Sequence, residues 1–177
     1  MTIININSKY AYVYPLKNKG SDSILKAFNQ FFKDCKEKII LVEGDLGKEW
    51  NNKKFKDLLE SHNIKLILYD KSLSPNAISI IERYNLTIRN KIDKYMKSYK
   101  TYKFIDVLDK LVNNYNNSVS QATGYKPIDV NPKIENKLYV AKALIKMDIQ
   151  NENNRDFNIG DHIRILKNKK LFSKGSD

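Results

Sequence analysis

Two acidic residues stand where an α/β protein could use them for chemistry. Asp45 ends a predicted buried strand, and carboxylates at the carboxyl ends of strands lie in the crevice where α/β proteins bind ligands. Gly44 and Gly47 beside it allow a tight backbone path around the acid. Glu82 lies in the first turns of a predicted long helix, with 36 residues between it and Asp45. Together the two could form a catalytic or ligand-binding pair; singly, each is also typical of a turn aspartate or a solvated helix glutamate.

The elements that must position these acids are predicted from hydrophobic periodicity. Residues 38–42 form a nearly continuous apolar run, which predicts a central strand that is buried on both faces. Residues 21–34 carry an apolar helical stripe, with Ser21 as the expected cap. The order of strands and helices predicts one mixed α/β sheet flanked by helices. The predicted strands are two short segments within residues 2–16, then residues 38–42 and 64–69; the predicted helices are residues 21–34, 51–61, 74–102, 104–115 and 134–149.

Composition narrows the classes of partner and compartment. The formal net charge of +12 favours a polyanion such as nucleic acid, although the abundance of Lys, Asn and Ile is also what an AT-rich coding sequence would give. The single cysteine, Cys35, forms no internal disulfide, which favours a reducing, intracellular compartment. The single cysteine and the two histidines, His62 and His162, are too few to form the ligand set of a zinc finger. No apolar run approaches the ~20 residues of a membrane span, so no membrane partner is predicted.

Several short motifs occur in an order and spacing that resemble a known family. Residues 45–50 follow the pattern Asp-x-Gly-x-Glu-aromatic, and residues 76–87 follow Asn, several residues, Glu-Arg-aromatic-Asn-x-Thr. They resemble the catalytic core of retroviral-type integrases, which is ribonuclease H-like, and especially integrases of large self-synthesising DNA transposons and virophages. Residues 8–11 and 14–17 resemble the second and third strands of that core, residues 123–127 its closing segment, and residues 158–165 the start of an SH3-like or chromo-like barrel.

The resemblance implies a DNA strand-transfer function that depends on divalent metal. In that family two Asp and one Glu hold two metal ions, and carboxylate oxygens suit Mg²⁺ or Mn²⁺. Asp45 matches the second Asp and Glu82 matches the Glu, so the resemblance makes both catalytic residues and metal ligands. It also adds the nucleus to the compartments to be considered, and DNA as the partner.

The chain departs from the family pattern at its first strand. It begins inside the segment that resembles the second strand, so the first strand and its Asp are not in the sequence. Asn5 aligns within the second strand and is not, by that alignment, a metal ligand. We therefore expect an unfilled strand position beside residues 38–42, weak metal binding and no strand transfer by this chain alone.

Helix geometry selects the DNA-contact candidates near Glu82. Ser79, Asn85 and Arg89 lie on the same helix side at offsets of −3, +3 and +7, although Arg89 could equally be a solvent-exposed arginine. Lysines recur at every third position from 91 to 103 and predict a basic coat. An apolar stripe on the same helix predicts a core or dimer contact, and not base stacking, which makes a homo-oligomer a candidate assembly; its residues are Ile92, Tyr95, Tyr99 and Tyr102.

The predicted organisation has three parts: an integrase-like core at residues 1–130, a helix and linker at 131–156, and the start of a small barrel at 157–177. The leading hypothesis for function is an integrase- or transposase-like strand-transfer core, whose activity as an enzyme is left open by the absent Asp. The rival is a non-catalytic DNA-binding or partner-binding remnant of a mobile element. A third alternative is an unrelated basic α/β module that binds RNA.

Overall fold

Short strands and amphipathic helices alternate along the first part of the chain, and helices alone follow. The computed structural model describes residues 1–70, 72–73, 77–153, 160 and 162. The strands are β1 (Thr2–Ile4), β2 (Ala11–Val13), β3 (Leu41–Asp45) and β4 (Lys65–Tyr69). The helices are α1 (Ser21–Asp34), α2 (Lys53–Ser61), α3 (Ser79–Ser98), α4 (Ile105–Asn116) and α5 (Pro132–Asn153), with a short 3₁₀ turn at Pro127–Asp129.

The described strands form two small sheets, and not the single mixed sheet that the sequence predicts. β1 and β2 pair antiparallel around a turn in which Lys9 adopts a left-handed φ of 64°. β3 and β4 pair parallel, in the register Leu41 opposite Lys65 through Asp45 opposite Tyr69. Among the described residues β3 hydrogen-bonds to no strand other than β4, which agrees with the open position expected beside it.

Two apolar clusters pack helices against these sheets. The first cluster packs α1 and α2 against residues of all four strands, with Phe28, Phe31 and Phe55 at its centre. The second cluster packs α3 and α4 against β1 and β2, around Ala11 and Tyr84. In the part of the chain that the structure describes, the second cluster contains no residue of β3 or β4.

The strand predicted at residues 38–42 begins later and is less buried than expected. β3 starts at Leu41, which is 38% exposed, and the preceding Ile40 is 68% exposed. A continuous apolar run marks a central strand only when other elements cover both of its faces and both of its edges. Leu41 is exposed and the other four residues of β3 are only half-buried, so the prediction of a central strand buried on both faces is wrong.

Helix starts are fixed by asparagines more than by the serine that the sequence suggested. Gly20, and not Ser21, is the cap of α1, and no side chain caps it. Asn18 instead accepts hydrogen bonds through Oδ1 from the Gly20 backbone N–H and the Ser23 hydroxyl. At α2 the Oδ1 atom of Asn52 accepts from the Phe55 N–H at 3.0 Å, which is ordinary N-capping.

Helix α3 is shorter than predicted, and this changes the role of its tyrosines. It ends at Ser98, and Lys100 then turns the chain with a φ of 47°. Ile92 packs against the second cluster, but Tyr99 is 70% exposed and Tyr102 is 94% exposed. The core interpretation is therefore wrong for these two tyrosines, because the helical stripe stops before Tyr102. A dimer contact there stays a prediction.

The chain divides into a compact unit from Met1 to Tyr139 and a second unit that begins at Val140. In the second unit, residues 140–153 continue α5, so the predicted linker at 150–156 is helical at 150–153. Apart from Gly160 and His162, the predicted barrel at 157–177 lies outside the described residues. The domain boundaries at 130 and 156 stay predictions. Of the helices described, none combines the length and apolarity needed to cross a membrane.

Candidate functional site

Asp45 is the last residue of β3, as the sequence predicts. It lies opposite Tyr69, the last residue of β4, so it stands at the carboxyl end of a parallel strand pair. Its side chain is half-buried, and its Oδ1 atom accepts a hydrogen bond from the Gly47 N–H at 3.3 Å. The carboxylate is thus at the end of the sheet where α/β proteins bind ligands.

The two glycines beside Asp45 serve it through their small size and not through special backbone angles. Neither Gly44 nor Gly47 has a positive φ; in the described residues that conformation occurs among glycines at Gly124 and Gly160. A Cβ atom added at Gly47 would lie 3.1 Å from Asp45 Oδ1 and 2.6 Å from Glu49 Oε2. Glycine at position 47 therefore keeps room for the Asp45 carboxylate.

A second carboxylate shares the strand face of Asp45 and was not singled out from the sequence. Successive strand residues alternate between faces, so Glu43 and Asp45 lie on the same side of β3. The Tyr69 hydroxyl donates a hydrogen bond to Glu43 Oε1 at 2.9 Å, and this bond is the main cause that raises the pKa of Tyr69. The spacing of two residues within a predicted strand would have been enough to find Glu43.

Glu82 lies in the first turn of α3 and is exposed. The opposite face of that helix is fixed by Tyr84 and Ile88, which are buried in the second cluster. The Thr2 hydroxyl also donates to Asn85 Oδ1 at 2.7 Å, which joins α3 to β1. Glu82 is thus presented on a helix that is well anchored to the antiparallel sheet, whereas Asp45 belongs to the parallel sheet. The convergence of the two carboxylates stays a prediction.

The three DNA-contact candidates occupy different environments. Ser79 is the first residue of α3 and is exposed, and Arg89 is exposed two turns after Glu82. Asn85 is half-buried, and its Oδ1 atom is occupied by the hydrogen bond from Thr2. Its amide nitrogen is the part of Asn85 that can still donate to a phosphate. The contacts of all three with DNA stay predictions.

The chemistry of the acids fits a hard divalent cation, but a full ligand set is not found. Carboxylate oxygens of Asp45 and Glu82 are ligands that Mg²⁺ and Mn²⁺ prefer. Within the described part of the chain, no group of three or more His, Cys, Asp or Glu residues is close enough to hold a metal ion. What the described residues offer is therefore a partial carboxylate set.

Comparison with known proteins identifies the architecture. No family model matches the chain. A transposon-derived protein of Caenorhabditis elegans is 31% identical over 179 residues, an alignment that covers 99% of this chain and 57% of that protein. The chain thus spans little more than half the length of the curated relative that it matches.

Retroviral integrases are among the solved structures that share the fold of this chain. The HTLV-2 integrase catalytic core domain in complex with magnesium superposes with a TM-score of 0.61 at 18% identity, covering 73% of this chain and 81% of that one. The simian T-cell lymphotropic virus intasome, in complex with the PP2A regulatory subunit B56 gamma, gives a TM-score of 0.64 at 13% identity, covering 71% and 45%. The chain therefore has the ribonuclease H-like fold of a retroviral-type integrase catalytic core, as the resemblance of its motifs implied.

Proposed function

We propose that this chain is the DNA strand-transfer core of a transposon-type integrase, and that it works with divalent metal ions. The observation that carries the proposal is Asp45, the last residue of β3 at the carboxyl end of a parallel pair, in a chain with the integrase-core fold. The transposon-derived relative and the magnesium complex of the HTLV-2 core support it.

In this proposal Asp45 and Glu82 are metal ligands. The Gly47 N–H orients the Asp45 carboxylate, and the buried face of α3 fixes the helix from which Glu82 projects. When bound, divalent ions in such sites activate a water or a DNA 3′-hydroxyl and stabilise charge at the phosphate under attack. Asp45 and Glu82 would set where those ions sit, and the half-buried position of Asp45 limits competition from solvent.

A third carboxylate is proposed to come from outside the described residues. The described part of the chain contains no group of three ligands, and β3 has an edge without a strand partner there. A strand added at that edge would end beside Asp45 if it ran parallel to β3. We therefore expect the 177-residue chain to bind Mg²⁺ weakly and to give no detectable strand transfer alone.

The decisive experiment adds an upstream strand that carries an Asp and measures Mg²⁺ binding and strand transfer on the element's own DNA ends. Both should appear in the extended protein, and Asp45→Asn or Glu82→Gln should abolish them. Asp57→Asn is the matched control, because Asp57 is an exposed acid on α2, outside the proposed site. An extended, folded protein that stays inactive, or a loss with Asp57→Asn equal to that with Asp45→Asn, would sink the proposal.

Binding of duplex DNA is proposed to rest on the basic surface and on Arg89. The net charge of +12 predicts affinity that is independent of DNA sequence and falls steeply with salt, because phosphate contacts release counterions. Arg89→Ala should reduce the slope of log affinity against log salt by about 1. Ser79→Ala should weaken binding with less change in that slope, since a hydroxyl carries no charge. Flat salt dependence would count against any role in binding nucleic acid.

A self-associating form is also proposed. The HTLV-2 integrase core has been solved in trimeric and dimeric forms. Sedimentation at several protein concentrations should therefore show species heavier than the monomer mass of 20.7 kDa. A monomer at all concentrations, with and without DNA, would contradict this part.

The second candidate function is a DNA-binding remnant without catalysis. It is favoured by the same partial ligand set, since two carboxylates alone give a two-metal site too little compensating charge. The extended protein separates the two candidates: salt-dependent DNA binding without strand transfer would select the remnant.

A further inference from the structure

The corner between α3 and α4 is ordered by its backbone but presents aromatic and basic side chains to solvent. After α3 ends, the Tyr99 N–H donates to the Tyr95 carbonyl at 3.0 Å and the Thr101 N–H donates to the Met96 carbonyl at 3.0 Å. Lys100 has a left-handed φ of 47°, and the Lys103 N–H donates to Thr101 Oγ1 at 3.1 Å. The segment therefore has a defined shape. We call residues 99–103 the α3–α4 corner.

Two aromatic rings of the α3–α4 corner are exposed to solvent. Tyr102 is 94% exposed and Tyr99 is 70% exposed. The Tyr99 ring centroid lies 4.7 Å from that of Tyr95 at an interplanar angle of 35°, so one of its faces is supported and its position is restrained. Two large aromatic side chains exposed within one short ordered turn are typical of a binding surface.

The net charge around the α3–α4 corner is positive. Between Asn90 and Asp106 the sequence contains five lysines and two aspartates. Lys100 and Lys103 belong to the corner itself and are exposed, and neither ammonium group forms an ion pair with any described residue. An anionic partner would therefore meet unneutralised lysines next to the two rings.

We propose that the α3–α4 corner binds single-stranded nucleic acid. Unpaired bases would stack on Tyr99 and Tyr102, and the phosphates would lie near Lys100 and Lys103. Aromatic platforms between basic side chains suit this ligand, because every base has a flat face and every nucleotide carries a negative charge. In a duplex most base faces are already stacked on neighbouring base pairs, so the rings would add little there. A second copy of this chain would bring the same lysines to this surface and meet charge repulsion there, so for Tyr99 and Tyr102 this proposal replaces the sequence-based expectation of a dimer contact without base stacking.

This inference goes beyond the proposed strand-transfer chemistry and uses none of its residues. The corner needs neither Asp45 nor Glu82, and its binding should persist in EDTA. Asp57→Asn, which removes an exposed acid on α2 outside both sites, should leave single-strand binding unchanged. Because binding in EDTA is measured without the metal chemistry, a failure of one proposal does not imply a failure of the other.

The test is fluorescence anisotropy with labelled oligothymidine, oligouridine and a duplex of the same length, with the 177-residue chain in EDTA. Tyr99→Ala and Tyr102→Ala should each weaken single-strand binding about tenfold, in line with one stacked base per ring. Tyr99→Phe and Tyr102→Phe should retain it, because phenylalanine keeps the flat face. Tyr139→Ala is the matched control: Tyr139 is 69% exposed on α5 and lies outside the corner.

Charge is tested separately. Lys100→Glu with Lys103→Glu should lower both the affinity and its salt slope, compared with Lys133→Glu and Lys137→Glu, two exposed lysines on α5. Thermal melts check that each variant folds. We expect the tyrosine variants to fold normally, because both side chains are highly exposed and contribute little to the core.

Equal losses with Tyr102→Ala and Tyr139→Ala would overturn the proposal. So would equal losses with the Phe and Ala variants, since these would indicate a hydroxyl contact and not stacking. Tyrosine variants that change the sedimenting mass but not the oligonucleotide affinity would identify a protein contact instead. Oligothymidine and oligouridine share the stacking chemistry, and their relative affinities show whether DNA or RNA is the preferred strand.

Discussion

The side-chain amide of Asn116 hydrogen-bonds to both backbone groups of Ala11. The Ala11 N–H donates to Asn116 Oδ1 at 2.9 Å, and Asn116 Nδ2 donates to the Ala11 carbonyl at 2.9 Å. Both residues are almost fully buried, at 2% and 1% exposure. At this point of β2, the end of α4 thus makes the hydrogen bonds that a neighbouring strand would make. These bonds join α4 to the antiparallel sheet, against which α3 also packs.

Loss of this amide should be costly. Asn116→Ala leaves the Ala11 N–H and carbonyl buried without partners, so we expect the free energy of unfolding to fall by about 2–4 kcal/mol. Asn117→Ala is the control, since Asn117 is exposed and its side chain donates to the Asn113 carbonyl of its own helix end. Urea denaturation measures both. Similar costs at positions 116 and 117 would contradict the structural role assigned to Asn116.

The two glycines near Asp45 should respond differently to alanine. A Cβ atom at Gly44 would lie 3.6 Å from Leu68 Cδ2, which is ordinary contact, whereas one at Gly47 crowds the carboxylates of Asp45 and Glu49. In the strand-extended protein, Gly47→Ala should weaken Mg²⁺ binding several-fold while the stability falls by only about 1 kcal/mol. Gly44→Ala should leave Mg²⁺ binding unchanged. Calorimetric titration with MgCl₂ makes the comparison, and the reverse order would refute the role given to Gly47.

The hydroxyl of Tyr84 should lower the stability of the fold. Tyr84 is 2% exposed, and its hydroxyl has no hydrogen-bond partner among the residues described. Burying a polar group without a partner costs free energy, so Tyr84→Phe should raise the free energy of unfolding by up to about 1 kcal/mol. Tyr84→Ala should lower it by about 3–5 kcal/mol, because the ring fills the second cluster. A loss of stability in Tyr84→Phe would show that the hydroxyl has a partner.

Alkaline pH should destabilise the fold through its buried and half-buried tyrosines. Burial raises the pKa of Tyr12, Tyr14, Tyr84 and Tyr115 above the ordinary value of 10.0, and at Tyr14 the hydrogen bond to Asp34 raises it further. Above that value the unfolded chain loses these protons while the folded chain keeps them. Their contribution to stability is therefore constant below it and is lost as pH rises, by up to about 1.4 kcal/mol per pH unit at the buried Tyr84. The loss is smaller at Tyr12, Tyr14 and Tyr115, which are only half-buried and are screened by solvent.

Urea unfolding between about pH 8 and about pH 11, with ultraviolet titration of the phenols, checks this expectation. Tyr84→Phe should lose stability less steeply with pH than the parent chain. Tyrosines that all ionise together at their ordinary value in the folded protein would contradict it.

Local pattern was sufficient for much of the secondary structure and for one site residue. The apolar stripe of residues 21–34 gave the bounds of α1 as they occur, Ser21–Asp34, because amphipathic periodicity is a property of the segment itself. The same logic placed Asp45 at the end of a strand, since an apolar run followed by a polar, glycine-containing turn marks that point. The order of motifs then indicated the integrase-core fold that the solved structures share.

Tertiary structure alone decided the features that depend on what covers a residue. The run at residues 38–42 reads as a central strand, but burial needs neighbours on both faces and both edges, and no local pattern records them. Tyr99 and Tyr102 share a stripe in sequence, yet the end of α3 at Ser98 leaves both in solvent. In the sequence, Asn116 is one of several polar residues in an asparagine-rich stretch. It becomes a structural partner of Ala11, 105 residues away in the sequence, only because the fold brings the two residues together. Such contacts arise from packing between distant segments, whereas strands and helices arise from the periodicity of adjacent ones.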